Sequence, residues 1–121
     1  MADRVLFIGW NRPARGREEK AVESFNDIVG LFGRMQQEGR LEKLDIVFLD
    51  PHGGDLGGYF MLQCSSEQLH AIEDDDDFRD AMARADLSVD GLGMVEGFTG
   101  DGIAREMERY MKAVGQVPQT A

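Results

Sequence analysis

Cysteine occurs once, at Cys64, so this sequence can close no internal disulfide; a reducing, cytoplasmic setting is the expectation. Long apolar runs are missing as well. None approaches the roughly 20 residues of a membrane span, and no membrane partner is expected. The opening strand-like stretch, residues 5–8, is too short for a secretory signal and lacks a small-residue cleavage site. Positive charge is scarce: 13 Lys and Arg face 23 Asp and Glu, a net charge of −10. Such a chain is repelled by phosphate backbones and anionic surfaces, so nucleic acid is not an expected partner. The one basic cluster, Arg12, Arg15, Arg17 and Lys20, suits a small anion at most.

At 121 residues with 42% hydrophobic content the chain is long enough for one cored domain. The domain is expected over residues 1–115, with 116–121 as a C-terminal tail. Its organising stretch is residues 41–65, which reads as two strands joined by a loop holding Pro51, Gly53, Gly54, Gly57 and Gly58. Residues 45–49 and 59–64 supply the strands, being rich in β-branched and large apolar side chains. An earlier strand is expected at 5–10, followed by a polar turn with Pro13 and Gly16 as breakers. Over 17–38, Ala21, Val22, Phe25, Ile28, Val29, Phe32 and Met35 fall at helical spacing, and Gly39 is a plausible stop. Gly30 and Gly33 are costly inside that helix and suggest close packing on the sheet or a kink.

Ser65-Ser66-Glu67-Gln68 has capping-box form and opens a second helical pattern. Its buried stripe, Leu69, Ile72, Phe78, Met82 and Ala85, slips at residues 74–77, so two helical pieces are expected, 66–74 and 77–85. Residues 87–98 read as a fourth strand softened by Gly91, Gly93 and Gly97. Residues 101–115 read as a last helix with Ile103, Met107, Tyr110, Met111 and Val114 on one side, ended by Gly115.

The order of the elements is thus β-α-β-β-α-β-α. The fold class is α+β: a ferredoxin-like βαββαβ unit with a four-stranded antiparallel sheet and an additional C-terminal helix. Both faces of the strands are apolar. Leu6, Ile8 and Trp10 alternate with Val5 and Phe7, and Tyr59 and Met61 with Phe60 and Leu62. A solvated antiparallel face should be polar, so the last helix or another subunit must cover the second face. A homodimer with the two sheets face to face is favoured.

The chain resembles the dimeric α+β barrel superfamily, and within it the small YCII-like and related stress-responsive barrel proteins. The resemblance rests on Gln37-Glu38-Gly39-Arg40 closing the first helix and Gly57-Gly58-Tyr59-Phe60-Met61-Leu62 opening the third strand. It continues through Ser65-Ser66-Glu67-Gln68-Leu69, the acidic residues 73–77 with Phe78, and Asp90-Gly91-Leu92-Gly93-Met94-Val95. It covers most of residues 4–98 and implies a dimer with a cleft between each sheet and its helices. YCII-like proteins tend to carry a suspected catalytic histidine on the first helix. Residues 17–38 contain none, so no catalytic residue is carried over.

The densest polar constellation is Asp50-Pro51-His52-Gly53-Gly54-Asp55, where two carboxylates and an imidazole share one loop. It has the groups to move a proton or touch a divalent ion, but no second histidine completes a ligand set, so neither metal nor cofactor is expected. A polar hairpin loop explains it as well. Residues 97–102 run from strand to helix but match no phosphate-binding fingerprint and read as a turn with an N-cap. Residues 74–77 lack the EF-hand glycine and glutamate and read as a solvated acidic turn. His70 reads as a partly buried surface residue and Cys64 as an inert buried thiol.

The antiparallel neighbourhood of the first and third strands brings Trp10 near Tyr59. The two are expected to wall a cleft, with Asn11, His52 or Glu96 as polar contacts; the opposing reading places both rings in the core or a dimer interface. A small organic ligand in that cleft is the favoured function. A cofactor-independent enzyme of monooxygenase, isomerase or lyase type on the same fold, and a non-catalytic interaction or regulatory module, remain the alternatives.

Overall fold

A computed structural model of the chain describes residues 2–120; the ends of the expected domain and tail, Met1 and Ala121, lie outside them. The elements are β1 (Arg4–Trp10), β2 (Arg12–Pro13), α1 (Glu18–Gln37), β3 (Lys43–Phe48), β4 (Gly58–Cys64), α2 (Ser66–Glu73), α3 (Asp76–Ser88), β5 (Val89–Asp90), β6 (Gly93–Phe98) and α4 (Asp101–Gln116). The main sheet has the order β3-β4-β1-β6 with every pairing antiparallel. This is the ferredoxin-like arrangement, and β1 sits at its centre.

The helix-side face of the sheet is the core. Leu6, Ile8, Phe60, Leu62 and Cys64 pack there against Ile28, Phe32 and Met35 of α1, Leu69 and Ile72 of α2, and Phe78 and Met82 of α3. Strand alternation puts these side chains on one face and Val5, Phe7, Tyr59 and Met61 on the other. Val22 departs from the expected buried stripe of α1; it is 59% exposed.

Local signals do most of the placing. Ser65 caps α2 in a complete capping box with Gln68, and Gly39 takes φ 74° one residue after the C-cap of α1. Gly33 has empty space where a Cβ would stand, and at Gly30 a Cβ would meet just the far end of the Arg34 side chain, so close packing on the sheet demands neither glycine.

Three boundaries correct the sequence reading. Leu87 and Ser88 belong to α3, where the Ser88 hydroxyl donates to the Arg84 carbonyl at 2.8 Å. The expected single strand over 87–98 is therefore two: β5 pairs with β2, Gly91 turns the chain at φ 69°, and β6 joins the main sheet. α4 runs past Gly115 to Gln116, and its N-cap is Gly100, with no side-chain cap.

The acidic turn at 74–77 is a structural joint as well as a solvated one. Asp75 caps α3 by accepting from the Phe78 amide, and its carboxylate pairs with Arg40 at 2.7 Å. The Arg40 hydrogen bond, followed by the Phe78 amide, lowers the Asp75 pKa from the ordinary 3.8. Its contribution to stability is thus complete above pH 3.8 and is lost as the pH falls from there through the lower folded-state value. Asp75→Ala should cost about 2 kcal/mol, the sum of a cap and a charge-assisted bond. Urea unfolding at pH 7 and at pH 3 checks this: the gap between wild type and variant should narrow in acid.

Candidate functional site

A cavity of about 740 Å³ opens between the sheet and α1 at the Trp10 end of β1, within the size range of small-molecule sites. Four rings build its apolar wall. Trp10 lies 5.3 Å from Phe60, 6.1 Å from Phe25 and 6.1 Å from Phe48, and Phe25 lies 4.9 Å from Phe48 and 5.5 Å from Phe60. Gly58 makes this possible. It pairs with Trp10 on one side and Phe48 on the other, and a Cβ there would come within 2.7 Å of the Trp10 ring and 3.2 Å of Phe48. The two rings therefore meet edge-on above a residue that has no side chain.

The loop of residues 49–57 forms one side of the mouth and is stitched to the strand ends. The Gly57 amide donates to the Trp10 carbonyl at 2.7 Å, Leu49 N–H to Gly57 O at 2.9 Å, and Asn11 N–H to Asp90 O at 2.8 Å. His52 holds the loop to itself: Gly54 N–H donates to Nδ1 at 3.2 Å, so Nε2 carries the proton and donates to the Leu56 carbonyl at 2.8 Å. Both ring nitrogens are occupied by backbone, which leaves the imidazole as a loop fastener and a piece of cavity wall. The ionisable side chains of the lining are Arg12, Asp50 and His52, and Arg12 is already paired with Asp90 at 3.3 Å.

Of the residues singled out in the sequence, Trp10, Asn11 and His52 come together around this cavity. Tyr59 and Glu96 do not. Tyr59 stands opposite Gly9 on the other face of the sheet and packs on Phe7 with centroids 5.1 Å apart, so the expected Trp10–Tyr59 wall is replaced by Trp10 with Phe25, Phe48 and Phe60. Glu96 sits opposite Leu6, 4.0 Å from Arg4, beside a second groove of about 490 Å³ that Glu73 and Arg79 also line. Burial, then the Glu96 carboxylate, push the Glu73 pKa up. The three phenylalanines were visible in the sequence as strand and helix positions; their convergence depended on register. Among the described residues no group of three His, Cys, Asp or Glu side chains is placed to hold a metal ion. His70 is exposed. Cys64 is fully buried, and desolvation outweighs the nearby Arg4 charge to push its thiol up to about 11, well away from a reactive thiolate.

Fold and site together define a ferredoxin-like α+β domain with an aromatic cavity under its sheet, and solved structures share that fold. No family model and no curated protein matches the sequence. A dimeric ferredoxin-like protein of unknown function from Thermobifida fusca superposes with TM-score 0.64 at 13% identity, over 82% of this chain and 93% of that one. The hydroxynitrile lyase of Passiflora edulis gives 0.63 at 9% identity, covering 83% and 96%. An EthD family protein from Bacillus halodurans gives 0.61 at 13% identity, covering 80% and 99%. Among the described residues no helix is long and apolar enough to cross a membrane.

Proposed function

We propose that this protein is a homodimer that binds a small, largely apolar organic molecule in the cavity beneath its sheet, in a reducing cytoplasm where Cys64 stays a thiol. The observation that carries the ligand reading is the four-ring wall of Trp10, Phe25, Phe48 and Phe60 around a cavity of about 740 Å³. Aromatic walls with a few polar groups at the mouth favour a planar, mostly uncharged ligand. Asn11 and Asn26 are neutral amides of the lining, the buried Ser24 hydroxyl is a further polar contact, and His52 shapes the mouth.

Two observations support the dimer. The outer face of the sheet keeps Val5, Phe7, Val47, Tyr59 and Met61 half-buried and Val95 exposed, so it is an apolar face without a cover. α4 does not supply one, because Ile103, Met107, Tyr110 and Met111 are themselves exposed. Similarly folded proteins, such as the one from Thermobifida fusca, are dimeric. A resemblance to YCII-like proteins belongs to the same reading. The lyase or monooxygenase alternative needs an acid–base group facing the ligand. His52 has both nitrogens engaged and Arg12 is paired with Asp90, so turnover would have to use Asp50 at the exposed mouth, and we favour binding without turnover.

A thermal-shift screen against a metabolite library tests the ligand reading. A ligand at one hundred times its dissociation constant adds about 2.7 kcal/mol. Phe48 is largely exposed, so Phe48→Ala should keep the fold and weaken a true cavity ligand about tenfold, the loss of one aromatic contact. A hit that Phe48→Ala leaves unchanged binds elsewhere.

A further inference from the structure

We infer that α4 is an exchanged arm. In the dimer its apolar stripe lies over the open rim of the second copy's cavity, so that each cavity is finished by its partner's helix. The inference rests on the dimer reading above. Besides the outer face of the sheet, two apolar surfaces lack a cover among the described residues. One is the cavity rim, where Phe48 is 68% exposed and Val22 and Leu49 stand beside it. The other is the α4 stripe of Ile103, Met107, Tyr110 and Met111, with Tyr110 63% exposed. The helix is fastened at its root. Gly102 packs against Asp3 and Phe98, and Arg105 pairs with Asp3. Beyond Arg105, among the described residues, the one ion pair of α4 is internal, Arg109 with Glu106.

The chain's own arm is poorly placed to close its own rim. α4 leaves from β6, whereas the rim belongs to β3 at the opposite edge, three strand spacings or about 14 Å away. It also leaves from the opposite end, since Phe98 pairs with Arg4 while the cavity lies at Trp10. A two-fold axis along the strands, between two facing sheets, changes this. It sets β6 of one copy against β3 of the other and satisfies both uncovered surfaces twice. A helix of 16 residues is about 24 Å long, enough to run the length of such strands.

Area and charge agree. Four strands give the sheet a face of about 400 Å², half of the about 800 Å² per partner that a stable interface buries. The stripe of α4, about 24 Å by 10 Å, adds about 240 Å². Asp101, Glu106 and Glu108 are balanced by Arg105, Arg109 and Lys112, so α4 is neutral in a chain of net charge −10. It is a segment that can approach a second acidic copy without adding net repulsion.

Trp10, the only tryptophan, reports directly on the cavity. The test is acrylamide quenching of its fluorescence in the full chain, wild type against Met107→Lys/Met111→Lys, with sedimentation of both. The wild-type dimer should shield Trp10, and the variant should raise the quenching constant about twofold or more as the excluded surface opens. A variant that stays dimeric with unchanged quenching overturns the arm and leaves the dimer standing. A wild type that sediments as a monomer overturns the dimer reading itself, and the arm with it. Should the variant dissociate, chains carrying Tyr110→Cys and chains carrying Asp50→Cys are mixed under mild oxidation; Cys64 is buried and stays silent. A mixed disulfide between the two kinds of chain supports the arm. Self-pairing of the Tyr110→Cys chains alone overturns it.

Discussion

Gly57→Ala should lower stability by about 3 kcal/mol and the unfolding midpoint by about 10 °C, measured by circular dichroism. The reason is space, since Gly57 is not among the residues with positive φ. A Cβ at this position falls well inside the contact distance of the Asn11 carbonyl oxygen. That atom is backbone and cannot swing aside. Relief requires residue 57 or Asn11 to move, and both are tied, Gly57 to Trp10 and Leu49 and Asn11 to Asp90. Three such bonds at about 1 kcal/mol each set the expected cost. Gly33→Ala is the matching control: with nothing near the new Cβ, the helix should gain up to about 1 kcal/mol. A Gly57→Ala loss below about 1 kcal/mol would show that the loop moves freely of the strands, and the cavity would then have a soft mouth.

In the proposed dimer, Val95→Glu should raise the dissociation constant about a hundredfold or more, read by sedimentation equilibrium. Val95 lies on the outer face of β6 directly across from Phe7 and is 61% exposed. A change there touches no core packing, so monomer stability should stay within about 0.5 kcal/mol. In a two-fold interface the substitution enters twice. Each unpaired carboxylate buried against an apolar face costs several kcal/mol, and about 2.7 kcal/mol already corresponds to a hundredfold. An unchanged constant would remove the sheet face from the contact and leave the apolar outer residues without an explanation.

Much of the architecture was legible because it is written locally. The period-two strands of residues 41–65, the serine cap at Ser65 and the positive-φ stop at Gly39 each fix an element from neighbours in sequence. The break inside residues 87–98 was not, because an apolar run bounded by glycines reads alike as one strand or as a helix end, a turn and a strand. What decided it is the pairing of Val89 with Pro13, a contact between distant residues. The site shows the same limit more sharply. Trp10 and Tyr59 do lie on neighbouring strands at adjoining ends, as their order implied. The pairing of Trp10 with Gly58, one residue from Tyr59, sends the two rings to opposite faces. One step of register thus separated a cavity wall from the outer face of the sheet, and it gave Phe48 and Phe60 the place that Tyr59 was expected to fill.

The central position of β1 has a consequence for how the protein is made. Its side chains reach partners far down the chain, as in the bond from Arg4 to the Gly97 carbonyl 93 residues away. At ribosomal speeds that separation is about 5–20 s of synthesis. The hairpin of β3 and β4 can take one side of β1 well before then, but the other side must wait for β6. A nascent chain stopped short of Gly93 therefore offers an open strand edge, apolar on both faces, to any neighbour doing the same. For this topology the last ladder closes only once β6 has left the ribosome, and a pause before then leaves the edge of β1 open.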